Sequence, residues 1–340
     1  MMQRRIYSIV ILMVIFCFTN TFLVGADQEN LQEQTEYPQT LGKAAILLDY
    51  ASGRVLYAQN AHQRLSPASV TKIMTALLVV ENGDLDRKVT ISQHAADTPE
   101  SSVWLEPGEK LTREELLYAC MLNSANDAAV ALAESVAGCE EAFVEKMNAR
   151  AQELGMKDTH FHNPHGLESK GHYTSAYDLA VLSREALNNP TFRRVVAAKT
   201  HHIPWTGKEY DRLLINQNRL LYRYANAIGI KTGYTKEAGN CVVGAAQKGN
   251  EILIAVSLNS PSVYQDLQRM LDYGFAHYTQ KTFKKAEQIT VTVPVENGQE
   301  DKVSAVPARD LTVAVTSAEH SRVSYKIIAD KNVAAPVKKG

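Results

Sequence analysis

Residues 43–50 and 54–58 are rich in apolar and β-branched positions, and Ala51-Ser52-Gly53 between them is a hairpin signal, so two strands are predicted there. From Ser66 the apolar positions recur at helical spacing towards Glu81-Asn82-Gly83. Ser66 is placed to cap this helix, Pro67 suits its first position and Gly83 can end it. The helical period returns over 116–122, behind the capping box Thr112-Arg113-Glu114-Glu115, and then over 127–137, 140–154 and 175–188. Strand character comes back at 238–247 and 251–258, joined by Lys248-Gly249-Asn250, and a last amphipathic helix is predicted over 264–278. Strands at both ends of a helical middle predict one antiparallel sheet with helices packed on it, an α+β layout. Beyond Lys285, short alternating segments at 289–295, 303–306, 311–316 and 323–328 predict a small all-β domain.

A chain of 340 residues exceeds the usual single core, in keeping with two domains. Ahead of them, Arg4 and Arg5 precede the apolar run 6–18, and Val24-Gly25-Ala26 offers a small-residue cleavage site, so 1–26 is expected to be a secretory signal. Residues 27–38, rich in Gln and Glu, form an expected flexible leader; the main domain then runs over 39–285 and the β domain over 286–340. With Arg4 and Arg5 removed from the 36 basic residues, acidic residues outnumber basic ones by three. There is no basic stripe for nucleic acid. Cys17 lies in the signal, and Cys120, Cys139 and Cys241 show neither a disulfide framework nor a zinc spacing, so they are expected to be small buried hydrophobes.

Candidate chemistry starts at Ser66-Pro67-Ala68-Ser69-Val70-Thr71-Lys72. Ser69 and Lys72 stand on one face of the first helical turns, the spacing a serine nucleophile with a lysine base requires. Unpaired N–H groups at that helix start can stabilise an oxyanion. Ser-x-x-Lys alone is a weak signal, and two further motifs strengthen it. Ser124-Ala125-Asn126 falls in a polar break between two helical patterns, where side chains can point into a cleft. Lys231-Thr232-Gly233 precedes the 238–247 strand and suits a strand edge, with Lys231 and Thr232 aimed at a carboxylate and Gly233 leaving room for close approach. A second Ser-x-Asn, Ser257-Leu258-Asn259, ends a strand and is background.

Ser-x-x-Lys, Ser-x-Asn and Lys-Thr-Gly in this order form the signature shared by penicillin-binding proteins and serine β-lactamases. The surrounding text, including Asn163-Pro164-His165-Gly166-Leu167, Gly171-His172-Tyr173 and Asn216-Gln217-Asn218, resembles the low-molecular-weight penicillin-binding proteins, the serine-type D-alanyl-D-alanine carboxypeptidases of peptidase family S11, from about residue 40 to the end. The resemblance implies a catalytic domain with a five-stranded antiparallel sheet between helical layers, followed by a small β domain. It implies peptidoglycan stem peptides ending in D-Ala-D-Ala as substrate and acylation by β-lactam antibiotics; no cofactor is expected, and no metal, since the histidines at 160–172 lie in an irregular loop without an accompanying carboxylate pattern.

Carried over, Ser69 attacks the carbonyl between the two D-alanines and Lys72 is its base, its pKa lowered by burial and by the Lys231 charge. Ser124 and Asn126 complete the proton network. Lys231, Thr232, Gly233 and Tyr234 bind substrate, with the backbone N–H groups of Ser69 and Tyr234 as oxyanion hole. The expected site of action is extracytoplasmic, at the outer face of the cytoplasmic membrane. Two departures stand out. Ser262-Val263-Tyr264-Gln265 lacks the arginine that related enzymes place before the last helix, and Arg269 lies further along. The chain also stops at Lys338-Lys339-Gly340, where the family continues, as a truncated chain would. His160, His162, His165 and His172 are expected to shape a loop, Ser175 to cap a helix, Trp104 and Trp205 to lie in core or cleft wall, and Glu168 to be solvated. Two alternatives stay open: a β-lactamase, and a penicillin sensor that acylates without useful turnover.

Overall fold

The computed structural model describes residues 37–324, 326–328 and 333–337; the expected signal and most of the leader lie outside them. Five antiparallel strands form the central sheet: β1 (Ala44–Asp49), β2 (Val55–Gln59), β3 (Ala227–Thr235), β4 (Gly239–Lys248) and β5 (Glu251–Leu258), in the order β2-β1-β5-β4-β3. All of β1 is buried because both sheet faces are covered. Alternation sends Ala44, Ile46 and Leu48 into the helical core, while Leu47 faces the other way, beside Gly274 of the last helix. β3 is an edge strand, and its outer edge lies open to the element carrying Ser69.

The longer helices are α1 (Lys72–Asn82), α2 (Arg113–Leu122), α3 (Asn126–Ala137), α4 (Glu140–Glu153), α5 (Ala176–Ala186), α6 (Pro190–Ala197) and α7 (Val263–His277). The predicted capping box at Thr112 is complete in both directions, and Ser175 caps α5 by accepting from the Asp178 N–H at 3.1 Å. Gly83 ends α1 with φ +73°, as its placement predicted. Ser66 does not act as a cap: the first turn is a 3₁₀ segment, Ala68–Thr71, entered through Pro67 without any side-chain acceptor.

The helical middle is less continuous than its pattern suggested. Lys88–Thr90 pairs with Lys110–Thr112, and Thr200–Ile203 with Arg212–Ile215, as short two-stranded pieces. The chain divides into two compact units, Tyr37–Ala276 and one containing His277–Gly340. That division falls before Thr279–Lys284, which pairs with Leu311–Val315 inside the second unit, so the boundary lies ahead of the expected 285/286. There Val291–Glu296 also pairs with Lys302–Ala305 and Val333–Ala334. The expected strand at 323–328 is not formed by its described residues, which are mostly exposed.

Candidate active site

Ser69 sits in the 3₁₀ turn that feeds α1, and Lys72 opens the helix proper, so the two side chains leave the same face one turn apart. The Lys72 amine is fully buried and donates to Ser69 Oγ at 3.0 Å, Asn126 Oδ1 at 2.7 Å and the His165 carbonyl at 2.6 Å. All three ammonium hydrogens therefore have acceptors, none of them a carboxylate. Burial drives the Lys72 pKa from 10.5 down to about 8.

Asn126 is the first residue of α3 and donates its own Nδ2 to the Pro99 carbonyl at 2.8 Å, which fixes the Oδ1 that holds Lys72. Ser124, two residues earlier, occupies the break between α2 and α3 with φ +62°, a conformation a non-glycine residue rarely takes and one concentrated at functional sites. The predicted polar break is thus real, and it places Ser124 next to the residue that holds Lys72. The control motif behaves as background: Ser257 is buried and donates to Asp266 at 3.0 Å.

Lys231, Thr232, Gly233 and Tyr234 lie along the edge strand β3. Lys231 is buried and donates to the Thr232 carbonyl at 3.0 Å; Thr232 is half-buried and Tyr234 exposed. A Cβ on Gly233 would sit 2.9 Å from Ser69 N and 3.1 Å from the Pro67 carbonyl, so only glycine lets the strand lie against the serine turn. The two buried amines do not share their perturbation as the sequence suggested. Burial, then the Lys72 charge, lowers the Lys231 pKa to about 7, whereas burial alone lowers Lys72, against the opposing influence of Cys120, Asp127 and Glu100.

Sequence reasoning gave no role to the loop 163–167, yet it closes the site from the other side. Asn163 Oδ1 accepts from the Gly166 N–H at 2.6 Å, and Thr75 of α1 donates to the Pro164 carbonyl at 2.6 Å. A Cβ on Gly166 would lie 1.9 Å from the Ala68 carbonyl oxygen. The signal was present in the text Asn163-Pro164-His165-Gly166-Leu167, without any local feature to say what it touches.

This geometry can be set beside known proteins. A profile of the D-alanyl-D-alanine carboxypeptidase family, peptidase family S11, matches residues 31–262. The chain belongs to that family. In this carboxypeptidase, residues 278–340 further match the C-terminal domain of penicillin-binding protein 5. It is 35% identical to D-alanyl-D-alanine carboxypeptidase DacF of Bacillus subtilis (strain 168), across 100% of this chain and 88% of that protein. A structure of D-alanyl-D-alanine carboxypeptidase DacD from Francisella tularensis resembles it with TM-score 0.71 at 27% identity, over 87% of this chain and 86% of that one. A D-alanyl-D-alanine carboxypeptidase from Mycobacterium tuberculosis H37Rv gives 0.67 at 33%, over 72% and 95%.

Around Ser69 and Lys72, the loop histidines have structural partners. The ring of His165 accepts from the Leu167 N–H at 3.2 Å, and that of His172 from the His162 N–H at 3.0 Å; burial pushes both rings down to about 3, so they are neutral. Glu168 is exposed and accepts from the Glu237 N–H at 3.0 Å, tying the loop to the turn after β3. Arg269 donates to the Gln39 carbonyl at 2.8 Å, so it does not take up the missing arginine's role. Two expectations fail. Trp104 is 70% exposed, lifted outward by a backbone at φ +55°, and Cys139 is an exposed N-cap of α4. No helix of the described residues is long and apolar enough to cross a membrane.

Proposed function

We propose that this serine D-alanyl-D-alanine carboxypeptidase trims peptidoglycan stem peptides through a Ser69 acyl-enzyme, with the unit Tyr37–Ala276 as the catalytic region and the unit from His277 as an accompanying β domain. The observation that carries the assignment is the 3.0 Å contact between Ser69 Oγ and a buried lysine whose pKa is lowered to about 8. At pH 7 the neutral fraction rises from roughly one molecule in three thousand to roughly one in ten. In that fraction the contact reverses, and the serine hydroxyl donates to the Nζ lone pair. Ser69 Oγ then attacks the carbonyl between the two D-alanines as its proton passes to Lys72. Collapse of the tetrahedral intermediate breaks the C–N bond, and Lys72 returns the proton to the departing D-alanine amine. Water hydrolyses the ester.

Asn126 holds Lys72 and Ser124 completes the proton path. Lys231 and Thr232 receive the terminal carboxylate, which restores the Lys231 proton that burial disfavours. The N–H groups of Ser69 and Tyr234 form the oxyanion hole, and Gly233 admits the strand beside them. The enzyme is exported and works outside the cytoplasm, at the outer face of the membrane. β-Lactams enter as acylating analogues of D-Ala-D-Ala.

Incubation with benzylpenicillin should add one penicilloyl group to the proteolytic fragment containing Ser69. Ser69→Ala should remain unlabelled. A label on another residue would remove Ser69 from the role.

A further inference from the structure

Ala68, immediately before the nucleophile, has φ +50°, a conformation that costs a non-glycine residue about 1–2 kcal/mol. Something must hold it. Its carbonyl accepts from Thr71 Oγ1 at 2.9 Å, and Thr71 Oγ1 is itself 2.9 Å from His172 Nε2. The direction of each bond follows from the acceptors. His172 Nδ1 receives the His162 N–H at 3.0 Å, so the neutral ring carries its proton on Nε2 and donates it to Thr71. The Thr71 hydroxyl, occupied as an acceptor, spends its single hydrogen on the Ala68 carbonyl. Thr71 and His172 are buried, and neither is a partner in the Ser69–Lys72 hydrogen bond.

The Ala68 carbonyl belongs to the same peptide plane as the Ser69 N–H. In a planar trans peptide the two point in opposite directions, so fixing one fixes the other. The plane is also bracketed sterically, with Gly166 against the Ala68 carbonyl and Gly233 against Ser69 N. We propose that Thr71 and His172 are positioning residues: their hydrogen-bond chain, running from the His162 N–H to the Ala68 carbonyl, aims the Ser69 N–H at the substrate oxyanion. The inference rests on the assignment of Ser69 as nucleophile and oxyanion donor. Breaking the chain lets Ala68 relax towards negative φ and swings the peptide that follows. The loss then falls on the transition state and not on substrate binding.

The test compares Thr71→Val, which keeps the shape and removes the hydroxyl, with Thr71→Ser, which keeps the hydroxyl. His172→Phe and His172→Gln form the matching pair, since glutamine can still offer an N–H near Nε2. Thr71→Val and His172→Phe should lower both kcat on a D-Ala-D-Ala peptide and the acylation rate by benzylpenicillin about 10- to 100-fold. KM should stay within about twofold, and affinity for a peptide boronic acid that forms a tetrahedral adduct on Ser69 should fall with kcat. Thr71→Ser should recover most of the rate and His172→Gln part of it. The double variant should lose no more than the worse single one, because the chain acts as a unit. Equal losses in Thr71→Ser and Thr71→Val, or a Thr71→Val enzyme with native acylation, would overturn the proposal while an inactive Ser69→Ala left the nucleophile assignment standing. Should Thr71→Val fail to fold, the contrast between Thr71→Ser and His172→Phe decides by the same criteria.

Discussion

Replacing Lys72 with methionine is expected to slow acylation of the enzyme by about 10²- to 10⁴-fold with Ser69 still in place, the range a positioned base contributes. The substitution keeps the apolar stem in its buried slot and removes only the group that holds Ser69 Oγ, Asn126 Oδ1 and the His165 carbonyl. Those acceptors lose a donor, yet the native enzyme already bears an opposing cost. Holding a fully buried lysine at about 8 against 10.5 in the unfolded chain disfavours folding by about 3 kcal/mol. The sign is definite: the penalty is complete below pH 8, and stability recovers as the pH rises from 8 towards 10.5, where the folded lysine is neutral and the unfolded one still charged. Lys72→Met should therefore lose the Lys72 share of that alkaline gain, measured as a melting temperature across pH 7 to 10 (about the range in which an ordinary lysine begins to titrate). The acylation rate of the native enzyme should climb with pH through about 8, following the neutral amine. A flat rate profile, or native acylation by Lys72→Met, would assign the base elsewhere.

The second large effect is steric. Gly166→Ala places a methyl carbon 1.9 Å from the Ala68 oxygen, 2.4 Å from the Ala68 carbonyl carbon and 3.0 Å from Ser69 N, all backbone atoms that cannot rotate away. The turn carrying Ser69 or the loop carrying His165 must move. A displacement near 1 Å at a reacting group costs on the order of 10²-fold in rate. Gly166 also has φ +93°, so conformational strain needs to be separated from the clash. Gly138 provides the comparison, with φ +89° and nothing within 4 Å of its missing Cβ. Gly138→Ala should lose only about 1 kcal/mol of stability and keep its acylation rate. Gly166→Ala should lose more stability and acylate benzylpenicillin at least about 100-fold more slowly. Equal behaviour of the two variants would mean that the loop does not brace the nucleophile.

What was legible beforehand depended on how local the cause is. Ser69 and Lys72 meet because of helical spacing, and Ser124 and Asn126 are displayed because a helix breaks there; both follow from a few consecutive residues. The hairpins and capping box of the main sheet and helices were legible for the same reason. Contacts spanning about ninety residues of chain, such as Lys72 to the His165 carbonyl, have no local trace. The charges acting on the two lysines also escaped, because Cys120, Asp127 and Glu100, which oppose the lowering at Lys72, come from other parts of the chain. Thr279–Lys284 was missed as a strand because its polar composition suits a half-exposed position beside Leu311–Val315. Trp104 was misplaced because its side chain is turned outward by a positive φ that no pattern announces.

The central claim is that Ser69 performs the cleavage of a D-Ala-D-Ala bond. Free D-alanine released from a short peptide ending in Lys-D-Ala-D-Ala, compared between the native enzyme and Ser69→Ala, measures it directly. The account predicts steady release by the native enzyme and none above background by the variant. Release that persists in Ser69→Ala, or a folded native enzyme that is acylated by penicillin yet frees no D-alanine, would contradict it.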